Sequence, residues 1–461
     1  MRRWAGFLTL GALSLAGLLA QDAELRVYTE HPRLFLRPQR LRLLQRERQR
    51  DSQRWRQFAL LMAGRAPMPE PGFAEALYYR AGGEAEGGKR AVAWALSPAA
   101  TDLRQLALVF DWCQDALTEV QSQTLAKKLV KIMESTAADR SIPATRSRLL
   151  AAIALADHQQ DVSARNVEQI IRVWWQGQMA PALKAGSNVV PRDDLYALFE
   201  MLHAVRDNLN LDLREAAPLF FKGLPIYDLL SYYPATFPAA EGEYRIPAVK
   251  GAREPDLRRA ALARAAELAM VPFDNNSNQT LVLQGWLMHD SFLLRGTFGV
   301  TYEFLWANPY QPGLSYYHVP LVFHDDLFGR LFARSSWEES ARWLGYFDGE
   351  LQLFQDGKVT LLNPESAQSP LSLDEAVVYF GRSGQRFTAM LQPEEEAFVL
   401  GLKPGAFYQI EVDDEELVEQ STDPGGILAL HLPRQVKIGV RIRPRPTAIE
   451  SHGQAEGEKS K

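Results

Sequence analysis

From about residue 37 to residue 306, apolar residues recur three and four positions apart almost without interruption; beyond Pro320 they recur at every second position. This change of period fixes the fold class. One face of a helix repeats about every 3.6 residues and one face of a strand every second residue, so the chain reads as helices followed by strands. The helical part comes as pairs with short breaks. "GFAEALYYRAG" precedes "GGKRAVAWALS", and "DLRQLALVFDWCQDAL" precedes "TEVQSQTLAKKLVKIMES", whose Thr118 and Gln121 fit a capping box. "ATRSRLLAAIALADH" is followed by "SARNVEQIIRVWWQGQMAPAL", and "PRDDLYALFEMLHAVRDNL" by "LREAAPLFFKGLPIYDLLSYY"; "DLRRAALARAAELAM" and "NQTLVLQGWLMHD" form the last pair. Repeated hairpins without a fixed-period repeat favour an α/α toroid, incomplete in this chain, over a superhelical solenoid.

The strands begin with "GRLFARSSW", "ARWLGYFDG" and "ELQLFQDGKVTLLNP", where Asp356-Gly357 reads as a hairpin turn, and continue to "KIGVRIRP". Their turn spacing predicts an antiparallel, sandwich-like domain. At 461 residues and 46% hydrophobic, the chain is too long for one ordinary core. The expected organisation is a leader over 1–20, a toroid over 21–310, a β-sandwich domain over 311–446, and a disordered tail over 447–461. Two arginines, a short apolar run and Ala20 before Gln21 predict a cleaved export signal, hence a periplasmic or secreted protein with no membrane span.

The single cysteine, Cys113, allows no internal disulfide and lies in a helical pattern that predicts burial. Net charge is −5, and −7 once Arg2 and Arg3 leave with the leader, which argues against nucleic acid. A polyanionic ligand would need a local basic patch. "RPQRLRLLQRERQRDSQRWRQFALLMAG" reads first as a solvated amphipathic helix and second as such a patch.

An exported helical toroid followed by a β domain resembles the heparinase II/III-like polysaccharide lyases. "HPRLFLRPQRLRLL" at 31–44 is similar to that family's opening, and "LALVFDWCQDALTEVQSQTLAKKL", with Asp111 and Trp112, to its Asp-Trp helix. The resemblance implies an acidic, uronate-containing polysaccharide or oligosaccharide as partner and β-elimination as chemistry, with no cofactor. Elimination beside a uronate needs a group to neutralise the carboxylate, a base for the C5 proton and an acid for the departing oxygen. Tyr196 occupies a position resembling the family's tyrosine. Where the family has an Asn or His on a toroid helix, this chain has Thr145 and Arg146. Its family-typical histidine segment in the β domain has no counterpart in "SSWEESARWLGYFDGELQLFQDG", and neither do the family's metal-site residues.

The helix around Tyr196 can also be read by itself. Arg192, Tyr196, His203 and Asp207 project onto one flank beside a core stripe of Leu195, Leu198, Phe199, Leu202 and Leu209. Arg192 would neutralise the carboxylate, and Tyr196 and His203 would transfer protons; the alternative is a half-exposed flank of locally paired charges. At the change of period, "ANPYQPGLSYYHVPLVFHDDLFGR" at 307–330 carries more aromatics than a linker needs. Trp306, Tyr310, Tyr316, Tyr317 and His318 read either as a sugar-contacting roof or as a buried junction. Asp274, Asn276 and Asn278 resemble a calcium loop only faintly and read better as a capping turn, and "HDD" at 324–326 reads as turn residues, so no metal is expected. Two alternatives to a lyase stay open. One is an inverting glycoside hydrolase on a similar toroid, using Glu241 or Glu243 with Asp193 or Asp194. The other is a catalytically silent carbohydrate-binding or envelope-scaffold protein, which the missing histidine favours.

Overall fold

The computed structural model describes residues 25–445 except 241, 252–254, 275, 290–292, 366–368, 382–384 and 414–415. The leader, the tail and Glu241 lie outside the described residues. As the change of period predicts, a helical region precedes a region of β-sheets. Among the described residues, no helix is long and apolar enough to cross a membrane.

Six helices follow one another around a ring: Pro71–Gly82, Leu103–Trp112, Ile142–Ala154, Leu195–Leu209, Leu257–Met270 and Val300–Trp306. The last has only 7 residues, so the ring is thin on that side, where Tyr302 meets Phe73 at 5.6 Å between ring centroids. Helices Ala85–Leu96, Glu119–Ser135 and Gln160–Glu168 pack as hairpin partners on the first three. The Thr118–Gln121 capping box forms as the sequence predicts, each side chain meeting the other's backbone N–H. Cys113 is fully buried, and burial pushes its thiol up from the ordinary range, away from nucleophile chemistry.

One strand pair interrupts the helices. The segment read as the end of a helix, "SYY", instead starts a hairpin of β1 (Tyr232–Ala239) and β2 (Gly242–Pro247). Pro234, Pro238 and Pro247 obscure its strand signal, because proline cannot donate to a ladder and weakens any strand reading.

The β region stacks three sheets. The first is an antiparallel meander of β3 (Val322–Asp325), β4 (Arg330–Arg334), β5 (Trp343–Phe347), β6 (Glu350–Gln355) and β7 (Lys358–Leu362). Asp356 and Gly357, with φ of 52° and 73°, make the predicted two-residue turn, which needs the left-handed region at both positions. The second sheet contains β8 (Leu371–Leu373), β9 (Ala376–Phe380), β11 (Glu396–Leu400) and β14 (Leu428–Leu430). The third contains β10 (Arg386–Ala389), β12 (Phe407–Val412), β13 (Glu416–Ser421) and β15 (Ile438–Pro444). Pairing is antiparallel apart from β9 with β11. The second and third sheets form the expected sandwich, and the first stands between it and the helices.

This stacking covers the first and second sheets on both faces, which explains why β4, β5 and β9 are buried at every residue. Phe332, Trp343 and Phe347 face the helical core, while Leu331, Ala333 and Leu344 face the second sheet. Trp343 donates its indole N–H to the Leu230 carbonyl at 2.7 Å, and the Tyr233 hydroxyl meets Gln352 at 2.7 Å, so the two regions share a packed, hydrogen-bonded junction.

Candidate functional site

Tyr196 sits near the start of its inner helix and faces the ring axis. Its hydroxyl donates to Glu200 at 2.8 Å and accepts from Trp306 Nε1 at 3.0 Å and Arg104 Nη2 at 3.3 Å. Glu200 is fully buried and also receives Arg104 at 2.6 Å and the Arg146 guanidinium. Arg104 continues to Glu70 at 2.8 Å, and Tyr302 donates to the same carboxylate. Side chains from four inner helices thus share one network around Glu200, with Glu70 just ahead of a fifth. Burial works to raise the Glu200 carboxyl, but Arg104 and Arg146 outweigh it and hold the group ionised, below its ordinary range. Burial, then the Glu200 charge, pushes the Tyr196 phenol far up, so it stays protonated and serves as a donor rather than a base.

Arg146, which the sequence reading singled out beside Thr145, is brought by the fold to the carboxylate that Tyr196 touches. Sequence reasoning missed Glu200 and Arg104. Their available signal was a charge set within an apolar helical run, Glu200 in "LYALFEMLHAV" and Arg104 in "LRQLALVF".

His203 lies two turns further along and meets the other side of Trp306, with ring centroids 4.5 Å apart. Its Nε2 donates to the Ala269 carbonyl at 2.7 Å, leaving Nδ1 to accept from Arg206 at 3.2 Å. Burial first, and Arg206 second, lower its pKa well below the histidine range, so the imidazole is neutral with both nitrogens engaged. Trp306 therefore joins Tyr196 and His203, but it does so as a buried wedge, 2% exposed.

Trp306 and His203 form the inner wall of a cavity of about 770 Å³. The mouth is basic. Arg37, Arg40, Arg42 and Arg46 come from the first helix, Pro38–Gln49, and its approach, and Arg206 comes from across the cavity; Asp207 is the one carboxylate in the lining. Three inner helices end here, and their last carbonyls explain part of the basic charge. Arg37 donates to Asp207 O, Arg40 to Trp306 O at 3.2 Å, and Arg206 to Pro272 O at 3.4 Å. Each guanidinium has five N–H donors, so Arg37 and Arg40 keep donors to spare, whereas Arg206 also meets His203 and the Asp207 carboxylate. Arg40 is lowered by burial to about 10, which leaves it charged at neutral pH. Arg42 and Arg46 are exposed and have no carboxylate partner among the described residues. Tyr310 extends the strip, with Arg46 and Arg50 over its ring at 5.4 and 5.1 Å.

Arg192 is elsewhere. It belongs to a 3-10 turn, Arg192–Asp194, ahead of the α-helix, so the helical projection that groups it with Tyr196 and His203 does not apply. It lies over the rings of Tyr232 and Tyr227 at 4.7 and 5.6 Å, and its guanidinium is 3.8 Å from Asp228 and 3.7 Å from Glu267.

The aromatic stretch is likewise divided. Gln284 donates to the carbonyls of Asn308 and Gln311, and Gly313 lies on Gly285, where an added Cβ would come within 2.5 Å of the Gly285 backbone. The stretch is thereby fastened to helix Asn278–His289. Tyr316 is buried, 8% exposed, and stacks on Tyr317 at 4.6 Å and edge-on to Trp337 at 5.2 Å. Tyr317, 51% exposed, and His318 open onto a different cavity of about 650 Å³, lined by Glu338, Asp374, Glu375, Glu394 and Glu396 against Arg434. The five aromatic positions do not make one roof.

The two stretches that carry the family resemblance meet in a clasp. Asp111 accepts the backbone N–H groups of Arg33 and Leu34 at 2.9 and 2.8 Å, His31 Nδ1 lies 2.5 Å from it, and Trp112 donates to Leu34 O at 2.8 Å. His31, Asp157 and His158 offer ligand atoms within 4.8 Å of one another. Arg33 Nη2, however, lies 2.6 Å from His31 Nε2 and 3.0 Å from Asp157, so a guanidinium already takes the cation's place. Burial opposes ionisation of Asp157, yet His31 and Arg33 draw its pKa down to about 2. At the weak calcium-loop candidate, Asp274 accepts the N–H groups of Asn276 and Ser277, as the capping-turn reading expects. In "HDD", His324 pairs with Asp423 at 2.9 Å.

Compared with known proteins, the chain matches no family model and no curated protein.

Proposed function

We propose that this protein binds an acidic, uronate-containing oligosaccharide in the arginine cavity, the sugar chain lying along the helix Pro38–Gln49. One observation carries the reading: five arginines converge on a cavity that contains a single carboxylate. Guanidinium forks match carboxylates in geometry, and the lining supplies Trp306 as an apolar wall. The leader over 1–20 supports an encounter outside the cytoplasm. Fractionation that leaves the protein in the cytosol would contradict that part.

Elimination is the chemistry the family resemblance implies. It would require Tyr196 to leave Glu200, or His203 to leave Ala269 and Arg206, since the polar atoms of both already bond to protein groups. The proposal is therefore binding without turnover, which agrees with the silent carbohydrate-binding alternative. Calorimetric titration with short oligouronates and with neutral oligosaccharides of equal length tests it. The expected outcome is binding of the acidic chain alone, weakening as salt rises. Equal affinity for the neutral chain would overturn the reading. Growth of the ultraviolet absorbance of an unsaturated uronate would show lyase turnover instead, and new reducing ends without it would show hydrolysis.

A further inference from the structure

A second cavity, of about 540 Å³, lies where the helical region meets the first sheet. The helices contribute Arg192, Leu224 and Tyr227, and the sheet contributes Arg330 on β4 and Phe347 at the end of β5. Arg330 is the unusual group. It is only 6% exposed, yet among the described residues its guanidinium has no hydrogen bond and no ion pair. Ring faces hold it, 4.9 Å from the Tyr227 centroid and 5.1 Å from that of Phe328, and the Asp228 and Asp325 carboxylates lie near enough to feel its charge without bonding it. A guanidinium so little exposed, with no acceptor of its own, is poised to take one from the cavity it lines. Arg192 adds a second incomplete cation, with Nε unpaired. Asp228 lies close by but compensates poorly, since both its oxygens lack hydrogen bonds and its closest approach to Arg192 is 3.8 Å.

We propose that this junction cavity is a separate anion site, in which Arg330 takes the carboxylate of a compact, ring-bearing acid such as a single sugar acid. The Arg330 fork offers two parallel N–H groups to a carboxylate, and Leu224, Tyr227 and Phe347 line the space a ring would fill. Arg192, Lys250, Arg259 and Arg330 outnumber Asp193 and Asp348 in the lining, and Asp193 is already paired with Arg259 at 2.8 Å, so the cavity favours an anion. A ring that fills it, which phosphate lacks, is what separates a sugar acid from phosphate. A ligand held there touches both regions and so stabilises their junction. This proposal does not depend on the arginine cavity, whose lining shares no residue with it.

The test uses the full chain, with glucuronate as probe and glucose and inorganic phosphate as controls, followed by thermal melting and calorimetry. Glucuronate should raise the melting temperature, and glucose and phosphate should not. Arg330→Met keeps the stem and removes the unpaired charge, so it should fold and weaken glucuronate by about thirtyfold or more. Arg42→Glu with Arg46→Glu should leave glucuronate binding at the junction intact. The proposal is overturned if glucuronate gives no shift, if Arg330→Met binds it as well as the parent, or if glucose or phosphate acts equally.

Discussion

The arginine cavity and the groove beside Tyr317 begin within a dozen residues of each other in sequence and have opposite character. The first places Arg37, Arg40, Arg42, Arg46 and Arg206 around Trp306; the second places Glu338, Asp374, Glu375, Glu394 and Glu396 around Tyr317 and His318. Aromatic residues close in sequence look like one sugar platform, yet here their neighbours in space assign them to opposite electrostatic fields. An acidic chain would be drawn to one and repelled by the other. Aromatic content alone therefore says little about a ligand until the charges around it are known.

The sharpest way to break this comparison is by truncation. Trp306→Ala should cost about 3–5 kcal/mol, because the ring is a buried wedge between Tyr196 and His203, whereas Tyr317→Ala should stay within about 0.5 kcal/mol. Chemical denaturation of both variants checks this, and equal losses would mean that the two aromatics are not placed as described.

A smaller effect separates the cavity from the polar network behind it. Tyr196→Phe removes the donor to Glu200 and leaves the Trp306 N–H without an acceptor, so it should cost about 1–3 kcal/mol of stability. Oligouronate affinity should be unchanged. A loss of affinity without a loss of stability would move the site to Tyr196.

The buried carboxylates sharpen the contrast further. Glu200 is held by two arginines, Arg146 and the Arg104 it shares with Glu70, but Glu267 shares Arg192 with Asp228. Burial, then the Asp228 charge, raises Glu267 to about 8, and burial raises Asp228 to about 6. Both pKa values are raised on folding, so their contribution is full at pH values below the ordinary carboxylate range and is lost as pH rises through about 6 and then about 8. Melting temperature should therefore fall between about pH 5 and pH 9, and Glu267→Gln should flatten that slope and stabilise at the alkaline end by on the order of 1 kcal/mol. An unchanged slope in the variant would assign the pH dependence to other groups.

Much of the fold was legible. The change of period marked the order of helices and sheets, and local chemistry marked the Thr118 cap and the Asp356-Gly357 turn. Periodicity could not reveal the third sheet layer, because a strand buried on both faces loses its alternation, as β9 does. Prolines hid the β1–β2 hairpin. The site was less legible. Projecting Arg192 onto the Tyr196 helix failed because the chain is not α-helical at Arg192. The basic stretch from Arg37 read more readily as a solvated face, since nothing in the sequence says that Arg206 and Trp306 will close a cavity against it. Contacts between distant segments made that difference, as they did in bringing Asp111 to His31.

The central claim is that an acidic oligosaccharide occupies the arginine cavity and not the neighbouring groove. Paired charge reversals measure it directly, with oligouronate affinity determined by calorimetry for the parent, for Arg42→Glu with Arg46→Glu, and for Glu394→Lys with Glu396→Lys. All four side chains are exposed, so each pair should fold. The arginine reversals should weaken binding by about tenfold or more, and the glutamate reversals should leave it nearly unchanged. Undiminished binding in the arginine variant, or binding that depends on the glutamate pair, would contradict it.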